Sequence, residues 1–244
     1  MNTSEREIDG VLNIYKSQNL TSHDVIVKLR RLIKIRKIGH TGTLDPQATG
    51  VLLICLGQAT KLSSWLSSKG KEYIAGMKIG VVTDTQDIWG SILSKKEPVN
   101  LKEEQIKEAF LRFTGEITQV PPMYSAVKWK GKKLYQLARK GYIVERVPRK
   151  VMISSLELIS YQEDSYPEVV FKVSCSTGTY IRTLCEDIGN YLGYGGCLSS
   201  LVRTRIDSFL LEDTLTLEKL TKIIENDLLF NYLIPIEKVL NGFS

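Results

Sequence analysis

The sequence has few of the residues from which metal centres and disulfide frameworks are built. Its 244 residues include two histidines, at positions 23 and 40, and four cysteines, at positions 55, 175, 185 and 197. The cysteines form no Cys-x-x-Cys pair of the kind that binds zinc. We therefore expect reduced thiols and no metal site.

Long apolar runs are also missing, since no segment approaches the roughly 20 residues that a membrane-spanning helix needs. The first seven residues, Met-Asn-Thr-Ser-Glu-Arg-Glu, are polar and differ from a secretory signal peptide. With 43% apolar and 25% charged residues, the chain can bury a sizeable core. We expect a folded cytoplasmic protein that makes no contact with membranes.

A phosphate-binding loop of the nucleotidase type is excluded as well. That motif requires a lysine and a hydroxyl residue directly after its last glycine. The residues after Gly50 are Val-Leu-Leu, and those after Gly57 are Gln-Ala-Thr-Lys. Neither glycine is followed by the required pair.

The most informative segment that is present spans residues 39–50, Gly-His-Thr-Gly-Thr-Leu-Asp-Pro-Gln-Ala-Thr-Gly. Glycines at 39, 42 and 50 permit unusual backbone angles or close approaches, and Pro46 restricts the chain after Asp45. An Asp-Pro pair among glycines is usually a solvated turn. Here an apolar run of strand length, residues 51–56, follows at once and predicts a buried strand. The sequence therefore favours a turn that holds Asp45 against the core.

Positive charge is concentrated in residues 127–150, where nine basic residues accompany one acid. Trp129, Tyr135 and Tyr142 lie among them. Phosphates attract the cations and unstacked bases pack on aromatic rings, so the segment favours RNA contact. A merely solvated surface would normally mix both signs of charge.

A second basic stretch, residues 28–37, carries six cations and no acid. Apolar residues recur through 25–33 at helical spacing, which predicts an amphipathic helix over residues 22–36 that begins near Thr21. An ordinary helix surface is as good an interpretation by spacing alone, but the position directly before the Asp45 loop favours RNA.

The remaining patterns predict an α+β protein without repeats. Strands are predicted at 11–15, 51–56, 72–81, 151–159 and 168–174, and further helices at 103–113, 182–192 and 215–226.

Residues 39–50 resemble the motif G-H-x-G-x-L-D-P-x-A-T-G of the tRNA pseudouridine-55 synthases of the TruB type. Further blocks that resemble this family follow in the same order along nearly the whole chain. They are Ala59-Thr60-Lys61, Lys71-Glu72-Tyr73, the run from Thr83 to Gly90, Pro121-Pro122-Met123-Tyr124-Ser125-Ala126, Gly131-Lys132-Lys133-Leu134-Tyr135 and Gly178-Thr179-Tyr180-Ile181-Arg182-Thr183.

The resemblance implies the pseudouridine synthase fold, an α+β fold with a mixed, largely antiparallel sheet, flanking helices and a central RNA-binding cleft. It implies one catalytic domain over residues 1–240, with a basic thumb-like insertion at about 123–148 and without an additional C-terminal RNA-binding domain of the PUA type. The implied partner is the T-stem-loop of tRNA, bound by a monomer that has no obligatory protein partner.

The same resemblance implies roles for individual residues. Asp45 would be the catalytic residue, supported by Tyr73, Arg182, His40 and Leu201. Arg182 would pair with Asp45, and Tyr73 would stack on the target base. His40 would lie beside the flipped nucleotide, and Leu201 would line the uracil pocket. Without the family resemblance, each of these residues has an ordinary interpretation. Arg182 would be a helix arginine and Tyr73 a core tyrosine. His40 would be a structural histidine and Leu201 a core leucine. The implied RNA contacts are Lys16, Lys61, Asp84, Asp87, Tyr124, Lys128, Lys130, Lys132, Lys133 and Arg203.

The implied reaction isomerises uridine to pseudouridine at tRNA position 55 and needs no cofactor, because neither redox change nor energy input is involved. A carboxylate can add to the uracil ring, add to ribose C1′, or help to remove a proton. The sequence leaves these roles open. It also leaves open an RNA-binding or RNA-folding protein with weak or no catalysis, and the same reaction on another RNA.

One departure from the family lies after the first strand, where an Asp-Lys-Pro element and a glycine are usual. This chain has Tyr15-Lys16-Ser17-Gln18-Asn19 instead. Without the proline and the glycine, we expect a less rigid turn.

Overall fold

The computed structural model describes residues 8–242. Its helices are α1 Ser22–Ile33, α2 Ser63–Ser68, α3 Glu103–Arg112, α4 Leu134–Ala138, α5 Ile181–Tyr191, α6 Leu217–Glu225 and α7 Ile236–Asn241, with 3-10 turns at Gly57–Leu62 and Leu229–Asn231. Its strands are β1 Gly10–Lys16, β2 Ile38–His40, β3 Thr49–Leu56, β4 Lys71–Ile79, β5 Val81–Thr83, β6 Ile92–Lys95, β7 Gly115–Gln119, β8 Lys128–Trp129, β9 Lys132–Lys133, β10 Arg149–Gln162, β11 Glu168–Cys175, β12 Gly196–Ile206 and β13 Phe209–Leu210.

The chain divides into two units, of which the first contains residues 8–72 and 202–242. In this unit β1 and β2 pair antiparallel with β3, and the last part of β12 runs parallel to β3. Alternate residues of a strand point to opposite faces. Leu12 and Leu52 therefore pack with Leu29 of α1 on one face, whereas Val51 and Leu53 face a second apolar cluster.

The second unit contains residues 73–201. Here β10 pairs antiparallel with β11 on one side and with β7 on the other, and β4 lies between β11 and β12. Helix α3 packs on this sheet, where Phe110 meets Phe171 edge to face with ring centroids 5.4 Å apart. Helix α5 buries Leu184 and Ile188.

Several elements confirm the sequence predictions, with shifted ends. Helix α1 begins as expected, because Thr21 and Asp24 form a capping box. It ends at Ile33 rather than at residue 36, because Lys34 adopts a left-handed conformation with φ of 58°. The strand predicted over 72–81 is interrupted at Gly80, whose φ is +84°. Strand β12 was not predicted.

Within residues 8–242 no helix has both the length and the apolar character to cross a membrane. In the same residues, His, Cys, Asp and Glu do not gather into a group of three or more that could hold a metal ion. The four cysteines are all buried.

Candidate active site

Asp45 lies in the loop between β2 and β3 of the first unit, and this loop is attached to the N-terminal end of α1. The Leu44 N–H donates to Ser22 Oγ at 2.9 Å, and Ser22 Oγ lies 3.3 Å from the Leu44 carbonyl that accepts its hydrogen. Leu44 is buried, with 3% of its surface exposed, and so is Ser22, with 1%. The residue before Asp45 is therefore anchored in the core.

The residues after Asp45 form a turn with its own hydrogen bonds. The Ala48 N–H donates to the Asp45 carbonyl at 3.1 Å, and the Asn19 N–H donates to the Pro46 carbonyl at 2.8 Å. Asn19 has a φ of 66°, a left-handed conformation that asparagine adopts more readily than most residues. In this chain Asn19 thus takes a conformation that glycine favours, in the segment where the sequence departs from the family.

Lys16 lies beneath this turn and is completely buried. Its Nζ donates to the carbonyls of Ser17 at 3.0 Å, Leu20 at 2.7 Å and Pro46 at 3.2 Å. Burial lowers the pKa of Lys16 to about 8, and the nearby charge of Asp45 opposes that shift. An ammonium group with these three carbonyl acceptors holds the loop, and we assign Lys16 to this role instead of to the predicted contact with RNA.

The two loop glycines with positive φ are Gly42, at +82°, and Gly50, at +102°. A Cβ atom at Gly50 would collide with the main chain of Arg203, so this close approach requires glycine. Gly39 lies in β2 and is not among the described glycines with positive φ. The expectation of a special backbone conformation is therefore confirmed at positions 42 and 50 and is wrong at 39.

Two further residues with predicted roles lie in the first unit. His40 is the last residue of β2, where it pairs with Ile54 of β3, and it is half-buried. Lys61 lies on the Gly57–Leu62 turn and is exposed, as a phosphate contact requires.

In the second unit, the guanidinium of Arg182 binds two separate loops. Its Nη1 donates to the Thr85 carbonyl at 3.0 Å, and its Nη2 donates to the Tyr124 carbonyl at 2.8 Å. Asp87 Oδ2 lies 3.7 Å from Nη1. Arg182 is 6% exposed, so these contacts are made in the interior, where charge-assisted hydrogen bonds are strong.

The turn that contains Thr85, the acceptor of Arg182, is held by side-chain hydrogen bonds that were not predicted from the sequence. Gln86, with a φ of 63°, accepts at its side-chain oxygen from Thr183 Oγ1 at 2.9 Å and donates from its side-chain nitrogen to Glu186. Burial raises the pKa of Glu186. Thr183 and Glu186 follow Arg182 on α5, so one helix supplies both the arginine and the side chains that hold the turn with its Thr85 acceptor.

Tyr73 and Leu201 lie on neighbouring strands of the second unit. Tyr73 is on β4 and is 7% exposed, whereas Leu201 is on β12 and is half-buried. Tyr124 is also half-buried, and Asp84 is exposed.

Residues 128–133, at the start of the basic segment of the second unit, form a small hairpin from β8 and β9, here called the thumb hairpin. Its two-residue turn is Lys130-Gly131, with φ of 46° and 83°. Lys130 Nζ lies 4.6 Å from the centroid of the Trp129 ring, and Lys133 Nζ lies 5.7 Å from that of Tyr135. The exposed cations of the hairpin are Lys128, Lys130, Lys132 and Lys133.

Two protein-family models together match most of this chain. The model of the N-terminal domain of TruB family pseudouridylate synthases matches residues 30–181, and the model of the tRNA pseudouridylate synthase B C-terminal domain matches residues 182–241. The chain belongs to the TruB family. The tRNA pseudouridine synthase B of Clostridium tetani is 46% identical to it over 97% of this chain and 80% of that protein. That of Alkaliphilus oremlandii is 48% identical over 97% of this chain and 77% of that protein.

Two solved structures have a similar fold. A chain of a Cbf5-Nop10-Gar1 complex is 32% identical, with a TM-score of 0.71 over 91% of this chain and 58% of that one. A chain of an H/ACA RNP bound to a substrate RNA containing 2′-deoxyuridine is 27% identical, with a TM-score of 0.70 over 98% of this chain and 62% of that one. This chain thus spans about three fifths of each solved chain. The predicted pseudouridine synthase fold, with its largely antiparallel sheet, is confirmed.

In this TruB-family protein, replacing Lys16 with methionine is expected to lower the rate at saturating tRNA by about 10- to 100-fold. The Pro46 carbonyl next to Asp45 then loses the Lys16 ammonium, a charged donor, although the Asn19 N–H still donates to it. Since the pKa of Lys16 is about 8, its charge is present below that pH and lost above it. The ratio of the wild-type rate to the variant rate should therefore be large below pH 8 and smaller above it.

Single-turnover rates on both sides of pH 8 measure this effect. The exposed Lys61, replaced by methionine, provides the control and should show no such pH dependence of its rate ratio. A constant ratio for the Lys16 variant would contradict the assignment.

Proposed function

We propose that this protein isomerises uridine to pseudouridine at position 55 in the T-loop of tRNA, with Asp45 as the catalytic carboxylate. The observation that carries the proposal is the position of Asp45 in a family motif whose loop is anchored on both sides, at Leu44 and at Pro46. A carboxylate on a rigid loop is positioned for one reaction geometry. We further propose that the protein acts in the cytoplasm, as a monomer and without an obligatory protein partner.

The reaction balances without a co-reactant. The glycosidic bond from ribose C1′ to uracil N1 breaks, a bond from C1′ to C5 forms, and the hydrogen of C5 leaves as a proton while N1 gains one. Asp45 can add to the ring or to C1′, or assist proton removal. Tyr73, Arg182, His40 and Leu201 support this chemistry in the roles that the family resemblance implies.

The target nucleotide has to leave its stack before a carboxylate can reach it, which costs a few kcal/mol. Contacts between phosphates and the thumb hairpin supply binding free energy that offsets this cost. Exposed cations beside Trp129 and Tyr135 fit a single-stranded loop, because bases stack on such rings.

The proposal is tested with tRNA transcribed with tritium at uracil C5. Pseudouridine formation replaces the C5 hydrogen, so the wild-type protein should release tritium up to one equivalent per tRNA. Release without further additions supports the enzyme. Tight tRNA binding without tritium release would instead support the alternative, an RNA-binding protein without catalysis.

The basic face of α1 yields a further expectation about the same substrate. Arg30 and Arg31 are exposed in its last turn. Their replacement by glutamine is expected to weaken binding of whole tRNA. The logarithm of the binding constant falls linearly with the logarithm of the salt concentration, and the steepness of that fall, here called the salt slope, should decrease by about 1 to 2. Replacement of the exposed Lys219 and Lys222 on α6 removes the same charge from the same unit and provides the control. Equal effects in the two variants would show a general charge effect rather than a contact.

A further inference from the structure

Arg203 is the largest completely buried side chain among residues 8–242, with 1% of its surface exposed. Its Nε donates to the Val51 carbonyl at 2.7 Å, and its Nη2 donates to the Gly42 carbonyl at 3.2 Å. These two carbonyls bracket the loop that carries Asp45. One planar guanidinium therefore ties the chain before Asp45 to the chain after it.

The main chain of Arg203 contacts the same loop. Arg203 is paired with Gly50 in the parallel ladder between β12 and β3, and Val202 is paired with Thr49. The absence of a side chain at Gly50 lets the two main chains approach closely. The side chain and the backbone of Arg203 thus both limit where the loop can lie.

The charges around Arg203 agree with a role inside the loop. The positive charge of Arg203 contributes to lowering the pKa of Lys16, whereas the negative charge of Asp45 opposes that shift. Two buried cations and the carboxylate of Asp45 are thus close enough to interact. A buried guanidinium is costly unless carbonyls and an opposite charge compensate it, and this loop supplies both.

We infer that Arg203 is a positioning residue that sets the place of the Asp45 carboxylate, and that it is not the phosphate contact predicted from the sequence. The inference rests on the proposed function, because it assigns the residue to that reaction. A guanidinium with 1% exposure, bound to two carbonyls, is not available to phosphate. Its fork reaches two acceptors together, which a lysine at this position does not.

The test compares three variants of the full chain. Arg203→Met is expected to lower kcat by about 100-fold, because a misplacement of about 1 Å costs that much, with the Kd for tRNA unchanged within about threefold. Arg203→Lys, which keeps the charge but not the fork, should fall between this variant and the wild type. Arg205→Met, two residues along the same strand and half-exposed, is the control and should match the wild type.

Guanidinium rescue separates positioning from a general loss of structure. Adding guanidinium ion to an Arg203→Ala variant should restore part of kcat, because the ion can donate to both carbonyls. An unchanged kcat in Arg203→Met, or a weaker Kd and a smaller salt slope with normal kcat, would overturn the inference.

A readout that does not depend on activity keeps this inference distinct from the proposed function. The Ala48 amide, which donates to the Asp45 carbonyl, should exchange its hydrogen faster in Arg203→Lys than in Arg205→Met. Unchanged exchange would overturn the inference even if the protein made no pseudouridine. If the Ala48 amide does exchange faster in Arg203→Lys than in Arg205→Met, but the wild type makes no pseudouridine, the proposed function is overturned instead.

Discussion

Replacing Asp45 with asparagine is expected to reduce pseudouridine formation by at least about 1,000-fold, as for the loss of other essential catalytic side chains. Asparagine keeps the shape of the side chain but removes the negative charge, so it serves neither as a nucleophile nor as a base. Single-turnover tritium release at saturating tRNA measures the loss.

The loop should survive this substitution. The bonds that shape it involve the main chain of Asp45 and its neighbours, such as the bond from the Ala48 N–H to the Asp45 carbonyl. Binding of tRNA should therefore stay within about threefold of the wild type, a change of about 0.7 kcal/mol or less. Loss of binding together with product would show a structural role for Asp45, and retained product would remove it from the chemistry.

Replacing Lys130, Lys132 and Lys133 of the thumb hairpin with alanine is expected to weaken tRNA binding by about 10- to 100-fold at moderate salt. Each lost phosphate contact should lower the salt slope by about 0.7, hence by about 2 for three contacts. The rate at saturating tRNA should change little, because the Asp45 loop is untouched. Filter binding across a range of salt concentrations measures both quantities.

The control for the hairpin comes from α3 and its N-cap in the same unit. Lys102 and Lys107 are exposed there, and Lys107 is paired with Glu103 at 2.7 Å. Their replacement by alanine should leave the salt slope nearly unchanged. An unchanged slope in the hairpin variant would contradict its assignment as the RNA-binding segment.

Local signals predicted the elements next to Asp45. The apolar run 51–56 became β3, and the capping box at Thr21 placed the start of α1. These features depend on neighbours in sequence, which is why periodicity and capping chemistry predict them. The family motif then indicated which carboxylate to consider, because spacing alone does not distinguish a catalytic aspartate from a turn residue.

The roles of the buried cations could not be predicted in this way. The family resemblance implied that Lys16 and Arg203 contact RNA, and nothing in the local sequence indicates that these two cations are buried, since arginine and lysine are mostly exposed. The acceptors that connect them to the Asp45 loop lie far away in sequence: the Pro46 carbonyl is 30 residues from Lys16, and the Gly42 carbonyl is 161 residues from Arg203. The bond between Gln86 and Glu186 spans 100 residues. Such contacts follow from the tertiary fold and leave no local pattern.

Chemical mapping of pseudouridine in a tRNA transcript, after incubation with the purified protein, shows whether this protein carries out the proposed reaction. No metal or nucleotide is added. We expect one new pseudouridine, at position 55, and none in a matched transcript with cytidine at that position. An unmodified position 55 under conditions in which the protein binds the transcript would contradict the proposed function.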